Sequence, residues 1–185
     1  MIVIFSYENA SNERVANREA LATQLPDAEI YIGGENTCQN FVNILKSCKG
    51  DELLLIEDDV RLCNHFSEEL DEALFEYGND VINFHYNFPF STETKEYPVS
   101  KYAYNQCVYI PSRVVSRLIV PCEAFIKRYP YFVQRKDYST QIKFGLIKSG
   151  EISFVAHEPK LVKHLGFASA IGNHPVVTRN FINDL

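Results

Sequence analysis

Short apolar runs alternate with amphipathic stretches along the first half of the chain. Four runs share the aliphatic and β-branched character of strands: residues 2–5, 28–32, 53–56 and 81–86. Three stretches between them repeat apolar positions every three or four residues, as helices do: residues 13–24, 37–48 and 67–77. This alternation predicts an α/β fold in which a mostly parallel central sheet is flanked by helices.

The second half of the chain is less regular. Residues 87–103 contain two prolines and four aromatic residues and predict a long loop. After it, strands are expected at residues 105–110 and 152–156, and helices at residues 112–118 and 137–148. The tail from residue 159 is expected to be a loop. These elements predict a mixed C-terminal half, and 185 residues fit a single domain, 1–185.

Composition narrows the class of protein. Apolar residues make up 46% of the chain, which is typical of a globular domain, and no apolar run is long enough to predict a transmembrane segment. The five cysteines have no CxxC spacing, so we expect free thiols in the cytoplasm rather than disulfides or a zinc site. The net charge of −6 gives no general attraction to nucleic acid or anionic membranes, although residues 127–143 form a basic stretch.

Three carboxylates follow the third predicted strand: Glu57, Asp58 and Asp59. Alternation along a strand would send Glu57 and Asp59 to one face and Asp58 to the other. Carboxylates this close repel one another, and they keep their charge only beside a cation, beside Arg or Lys, or in water. Ligands of open α/β sheets bind at the carboxyl ends of strands, and Mg²⁺ and Mn²⁺ prefer oxygen ligands. The triplet therefore predicts a cation site beside a nucleotide.

Four segments carry a resemblance to a known family: LLLIEDD (53–59), YNQCVYIPSR (104–113), KDYSTQIKFGL (136–146) and PKLVKHLGFAS (159–169). The first resembles the apolar-apolar-E-D-D motif of small GT-A-type glycosyltransferases in the lipopolysaccharide and collagen galactosyltransferase-like branch. The second resembles the segment after the acceptor loop of that branch. The last resembles the tail of related N-acetylglucosaminyl- and phage-type glycosyltransferases. Glu57 stands where an aspartate begins the usual D-x-D motif.

The resemblance implies a GT-A-like domain in which residues 1–86 bind a nucleotide-sugar and residues 87–185 form the acceptor side. It implies a Mn²⁺ or Mg²⁺ cofactor held by three residues: Asp59, Glu57 and His164. It also implies contacts to the nucleotide-sugar from a larger set: Tyr7, Arg14, Arg18, Asp58, Gly166 and Ser169.

The implied reaction moves a sugar from a nucleoside-diphosphate sugar, with a UDP-sugar as the expected donor, to a hydroxyl group. The metal would stabilise the leaving diphosphate, and Asp137 is the candidate catalytic base of an inverting transfer. Two acceptors stay open, a glycan and a hydroxylated or hydroxymethylated DNA base. The basic stretch favours DNA, whereas the net charge does not.

Plainer interpretations stay open as well. The Asp58-Asp59 pair could be a solvated strand end, Asp137 a helix N-cap, and Arg14 and Arg18 a solvated helix face. His85 is expected to be structural, and the aromatic residues between Tyr86 and Tyr104 either stack on an acceptor or pack on one another. A different class of function is a non-catalytic nucleotide- or sugar-binding module. A phosphatase or nucleotidyltransferase is disfavoured, because residues 6–12 hold neither a nucleophilic aspartate nor a glycine-rich loop.

Overall fold

The structure, a computed structural model, describes residues 1–86, 93–131 and 138–167. The strands of this part of the chain are β1 (Ile2–Tyr7), β2 (Glu29–Gly33), β3 (Leu53–Glu57), β4 (Val60–Leu62), β5 (Ile82–Asn83), β6 (Lys95–Pro98), β7 (Cys107–Ile110), β8 (Ser153–Ala156) and β9 (Val162–His164). The helices are α1 (Asn12–Gln24), α2 (Thr37–Ser47), α3 (Phe66–Tyr77), α4 (Ser112–Arg128) and α5 (Tyr138–Ser149), with a 3₁₀ turn at Val99–Lys101. The fold is α/β.

Seven strands form one mixed sheet in the order β2-β1-β3-β7-β5-β8-β6. Strand β1 runs parallel to both β2 and β3, as the alternation predicts for the N-terminal half. Strand β7 enters antiparallel between β3 and β5, while β5 and β8 are parallel and β6 is antiparallel to β8. The sheet is therefore parallel in its first half and mixed in its second. A second sheet pairs β4 with β9.

Helices cover both faces of the large sheet, and each face has its own apolar core. Helices α2, α4 and α5 pack on the face that receives Val3 and Phe5 of β1, whereas α1 and α3 pack on the face that receives Ile4. Successive residues of a strand point to opposite faces, so continuous apolar strands are what a sheet covered twice requires. The aromatic residues Tyr86 and Tyr102 are buried and pack on Phe154, so these two belong to the core.

The order of the strands creates a switch point beside β1. The chain leaves β1 for β2 on one side and returns over β1 to form β3 on the other side. The carboxyl ends of β1, β3, β5 and β8 all lie at one edge of the sheet, because these strands run in the same direction. In open α/β sheets such an edge, at the switch point, is where ligands bind.

Two predicted strand and loop boundaries differ from the structure. Strand β5 stops at Asn83 instead of continuing to residue 86, because the Asn83 side chain accepts a hydrogen bond from the His85 N–H at 3.0 Å and turns the chain. The predicted loop at 87–103 contains β6 and a 3₁₀ turn; its residues 87–92 lie outside the described part of the chain.

Two further predictions are also corrected. Helix α4 does not end at residue 118 but passes Pro121, because its buried face continues through Cys122 and Phe125. The tail after residue 159 is not entirely loop, since β9 pairs with β4. Among the described residues, no helix combines the length and the apolar character needed to cross a bilayer.

Candidate functional site

The Asp58-Asp59 pair forms a tight turn at the carboxyl end of β3. Strand β3 ends at Glu57, and β4 begins at Val60. The Asn17 side-chain amide donates hydrogen bonds to the carbonyls of Asp58 and Val60, each at 2.8 Å. The Leu165 N–H donates to the Asp59 carbonyl at 2.8 Å. The backbone of the turn is therefore fixed from α1 on one side and from the chain after β9 on the other.

Arg14 of α1 is the charge partner of both aspartates. Its Nη1 lies 2.7 Å from Asp59 Oδ2, and its Nη2 forms an ion pair with Asp58 Oδ1. All three residues are buried, with 2% of Arg14, 0% of Asp58 and 4% of Asp59 exposed. The prediction that the two aspartates point to opposite faces is wrong, because strand alternation ends at Glu57. The interpretation of the pair as a solvated strand end is also wrong, because both aspartates are buried.

Asp58 is enclosed on every side. The Ser6 hydroxyl donates to Asp58 Oδ2 at 2.5 Å, and Arg18 Nη1 donates to the Ser6 hydroxyl at 3.1 Å. Burial raises the pKa of Asp58, although the positive charge of Arg14 and the Ser6 hydrogen bond act to lower it. Arg18 therefore joins the site through Ser6, whereas Arg14 contacts the carboxylates directly.

Asp59 has a free oxygen and a histidine neighbour. His164 Nε2 lies 3.3 Å from Asp59 Oδ2, while Asp59 Oδ1 is buried and has no hydrogen-bond partner among the described residues. Burial acts to raise the pKa of Asp59, but the His164 hydrogen bond and the charge of Arg14 outweigh it and hold this pKa below its usual value. The Gly166 N–H donates to His164 Nδ1 at 3.2 Å, so Nε2 carries the proton that faces Asp59.

Glu57 points to the opposite face of the sheet. The Tyr138 hydroxyl, at the start of α5, donates a hydrogen bond to Glu57 Oε1. Burial and the charge of Asp59 raise the pKa of Glu57 to about 7. Tyr7 ends β1 on this face, with 7% of the residue exposed and its ring 5.7 Å from the Arg14 guanidinium carbon. Glu57 therefore loses its proton near neutral pH, beside a partner that keeps its own.

The structure brings most of the predicted site residues to one edge of the sheet. Arg14, Asp58, Asp59 and His164 are linked directly to one another by ion pairs and a hydrogen bond. Other predicted residues adjoin this group: Glu57, Tyr7, Arg18 and Gly166. Asp137 and Ser169 lie outside the described residues.

Sequence reasoning missed several members of the site. Asn17 could have been found, because it shares one face of α1 with Arg14 and Arg18 through the spacing of three and four residues. Tyr138 has no sequence signal that sets it apart from other tyrosines. His85 is buried with its ring 6.1 Å from that of His164 and its Nδ1 3.1 Å from Gln106 Oε1, and burial lowers its pKa to about 3. His85 is therefore a neutral neighbour of the cluster.

The donors at Asp59 fit a metal ion that has few protein ligands. In the described ranges, no three His, Cys, Asp or Glu side chains come close enough together to hold a metal ion. Asp59 supplies one donor, because its buried Oδ1 is available to a ligand. His164 supplies none in this arrangement, because its Nε2 carries the proton that faces Asp59 and its Nδ1 accepts from Gly166. A hard divalent cation with one protein ligand takes its remaining ligands from phosphate oxygens and water. The arrangement is compatible with a metal that binds together with a diphosphate, and not with a site closed by protein.

Neither a family model nor a curated protein matches the chain. What the site can do therefore follows from its charges and geometry. The guanidinium of Arg14 is paired with two carboxylates, Asp58 and Asp59, and Glu57 adds a further negative charge nearby when it is ionised. A cation that enters this partly buried cluster is attracted more strongly than it would be in water.

Asn17→Ala tests how firmly the turn is held. The change removes two hydrogen bonds to the turn backbone, and we expect it to lower the free energy of unfolding by about 1–2 kcal/mol. Urea denaturation measures the loss. Asn12→Ala, the same substitution at an exposed position in the first turn of the same helix, is the control. Equal stability of the two variants would contradict the structural role of Asn17.

Proposed function

We propose that the chain is a metal-dependent glycosyltransferase of the GT-A type that moves a sugar from a nucleoside-diphosphate sugar, with a UDP-sugar as the expected donor, to a hydroxyl group. One observation carries the proposal. The Asp58-Asp59 turn lies at the switch point between β1 and β3, and Asp59 Oδ1 is buried there without a hydrogen-bond partner among the described residues. An α/β sheet binds its ligand at this position, and a carboxylate oxygen of this kind suits a hard cation.

In this proposal Asp59 would hold Mn²⁺ or Mg²⁺, and His164 would orient the Asp59 carboxylate by donating its Nε2 proton to Oδ2. The bound metal would supply Lewis-acid stabilisation of the leaving diphosphate. Asp58 keeps the turn in place through Ser6 and Arg14, and Glu57 adds negative charge from the opposite face. The hydrogen bond from Gly166 to His164 fixes the orientation of the imidazole ring.

The donor is proposed to lie along the carboxyl ends of β1 and β3. Arg18 is partly exposed and is linked to Asp58 only through the Ser6 hydroxyl, so it is placed to contact a phosphate of the donor. Tyr7 borders the same place at the end of β1. Asp137 is proposed as the base that takes the proton of the acceptor hydroxyl, and Ser169 as a further contact to the donor.

The acceptor is proposed to be either a glycan or a hydroxylated DNA base. The basic residues between 127 and 143 support DNA, since Lys and Arg neutralise backbone phosphates. Activity on DNA would fall steeply as salt rises from about 50 to 200 mM, whereas activity on a neutral glycan would change little. The salt dependence of transfer separates the two acceptors.

A second candidate is a non-catalytic nucleotide- or sugar-binding module on the same scaffold. The observation that favours it is the ion pairing of Arg14 with both aspartates, which gives these residues a structural role without any metal. Such a module would bind a nucleotide and show neither transfer nor hydrolysis of the donor. An assay for release of the nucleoside diphosphate distinguishes the two functions.

Thermal unfolding with Mn²⁺ and a panel of UDP, GDP, ADP, CDP and TDP tests the proposal. A ligand at 100 times its Kd adds about 2.7 kcal/mol to the free energy of unfolding, which raises Tm by roughly 5–10 °C for a domain of this size. We expect this rise with one nucleotide, only when Mn²⁺ is present, and not in Asp59→Asn. Asp71→Asn, an exposed carboxylate of α3, should keep the full rise. Absence of a rise with every nucleotide would overturn the proposal.

A further inference from the structure

Arg14 occupies the position of a counter-cation in the Asp58-Asp59 turn. Each of its terminal nitrogens faces a different carboxylate, and the residue is 2% exposed. Removal of such a guanidinium from its buried carboxylates is strongly unfavourable unless another cation takes its place. A metal ion that binds Asp59 would come within a few ångströms of this positive charge, so the two cations repel each other.

The two aspartates differ in how far they can change partners. Asp58 is fully buried and receives the Ser6 hydroxyl as well as Arg14, so it keeps a partner if the guanidinium moves. Asp59 shares Oδ2 between Arg14 and His164, and its buried Oδ1 has no hydrogen-bond partner in the described part of the chain. Asp59 is therefore the residue at which one cation can replace another.

We propose that Arg14 and the divalent metal ion compete for Asp59, and that the diphosphate of the donor takes the guanidinium that the metal displaces. The inference rests on the proposed function and adds a regulation of the same site. Guanidinium and phosphate pair well, commonly through two parallel hydrogen bonds. The metal binds weakly alone and tightly together with the diphosphate. Each ligand raises the affinity of the other by the same factor, as binding linkage requires.

Binding of Mn²⁺ alone, measured from the free aqua-ion signal by electron paramagnetic resonance, tests the competition. Arg14→Gln by itself leaves two buried carboxylates without a cation, so the informative comparison is Asp58→Asn against the double variant Arg14→Gln with Asp58→Asn. The double variant has the net charge of the native site. We expect it to bind Mn²⁺ about 10- to 100-fold more tightly than Asp58→Asn, as removal of a nearby positive charge in a partly buried site implies. Arg113→Gln, an arginine on the surface of α4, should leave Mn²⁺ affinity unchanged.

UDP is then added to both variants to measure the linkage. UDP should tighten Mn²⁺ binding by a larger factor in Asp58→Asn, where Arg14 is present, than in the double variant. Equal Mn²⁺ affinities without UDP would overturn the competition, while a Mn²⁺-dependent rise in Tm of the native protein would leave the proposed function standing. Absence of Mn²⁺ binding in every variant, with and without each nucleotide, would overturn both.

Discussion

Arg14→Ala is expected to lower the free energy of unfolding by about 3–5 kcal/mol at neutral pH. The change leaves the carboxylates of Asp58 and Asp59 buried beside each other without their shared cation. Removal of one partner from a buried ion pair is costly, because the remaining charge has already lost its water and now has no compensation. Urea denaturation at pH 7, compared with the native protein, measures the loss.

Two controls separate the charge of Arg14 from its volume. Arg113→Ala removes an arginine whose side chain is 41% exposed, pairs with Glu151 and donates to the Asn79 carbonyl, and it should cost only about 1–2 kcal/mol. Addition of Asp58→Asn and Asp59→Asn to Arg14→Ala removes the two unpaired charges and should restore most of the lost stability. If Arg14→Ala were no less stable than Arg113→Ala, the buried ion pair would contribute nothing to the fold.

Glu57→Gln is expected to stabilise the protein at high pH and to leave it unchanged at low pH. The pKa of Glu57 is 4.5 in an unfolded chain and about 7 in the fold. Between these values the folded protein binds more protons than the unfolded chain, so the free energy of unfolding falls as pH rises. The stability of the native protein relative to Glu57→Gln is therefore full below pH 4.5, where the Glu57 carboxyl is protonated in both states, and it is lost as pH rises past about 7. Its size is about 3 kcal/mol at about 1.4 kcal/mol per pKa unit.

The difference in stability between Glu57→Gln and the native protein isolates this effect from other titrating groups. Glutamine keeps an oxygen that can accept the hydrogen bond from Tyr138 and has no proton to lose. Urea denaturation from pH 4 to pH 8 should give a difference that grows from zero to about 3 kcal/mol in favour of the variant. Glu68→Gln, an exposed glutamate of α3, should give a flat difference. A flat difference for Glu57→Gln would show that its carboxyl group is not held in the protonated form.

Most of the first half of the fold could be predicted because its elements are long enough to show a period. Strands β1 and β3 are continuous apolar runs, and α1 to α3 begin and end within one or two residues of the predicted bounds. The ladder between β4 and β9 could not be predicted, because each strand has three residues and the pairing joins distant parts of the chain. The local pattern of apolar and polar residues does not indicate which distant strand will pair with β4.

The candidate site, like the fold, could be predicted from the sequence only in part. The carboxylates and His164 stand out because polar residues adjoin buried strands or follow a motif. Their mutual contacts depend on a turn that cancels strand alternation and on the ladder that sets His164 opposite Val60. Arg14 carried a weak local signal, a polar face of α1. The contact of Tyr138 with Glu57 follows from the packing of α5 over the sheet, which the sequence does not express locally.

The ladder between β4 and β9 also means that the site is completed late during synthesis, because β9 follows β4 by about 100 residues. Arg14 precedes Asp59 by 45 residues, so the guanidinium and both carboxylates leave the ribosome while much of the chain is still to be made. Strand β7, which separates β3 from β5, and His164 come far later. A domain generally folds as a unit, rather than piece by piece from its N-terminus. Arg14 and the aspartates are therefore made early, but the enclosed cluster forms only after β7 and the ladder between β4 and β9 have been translated.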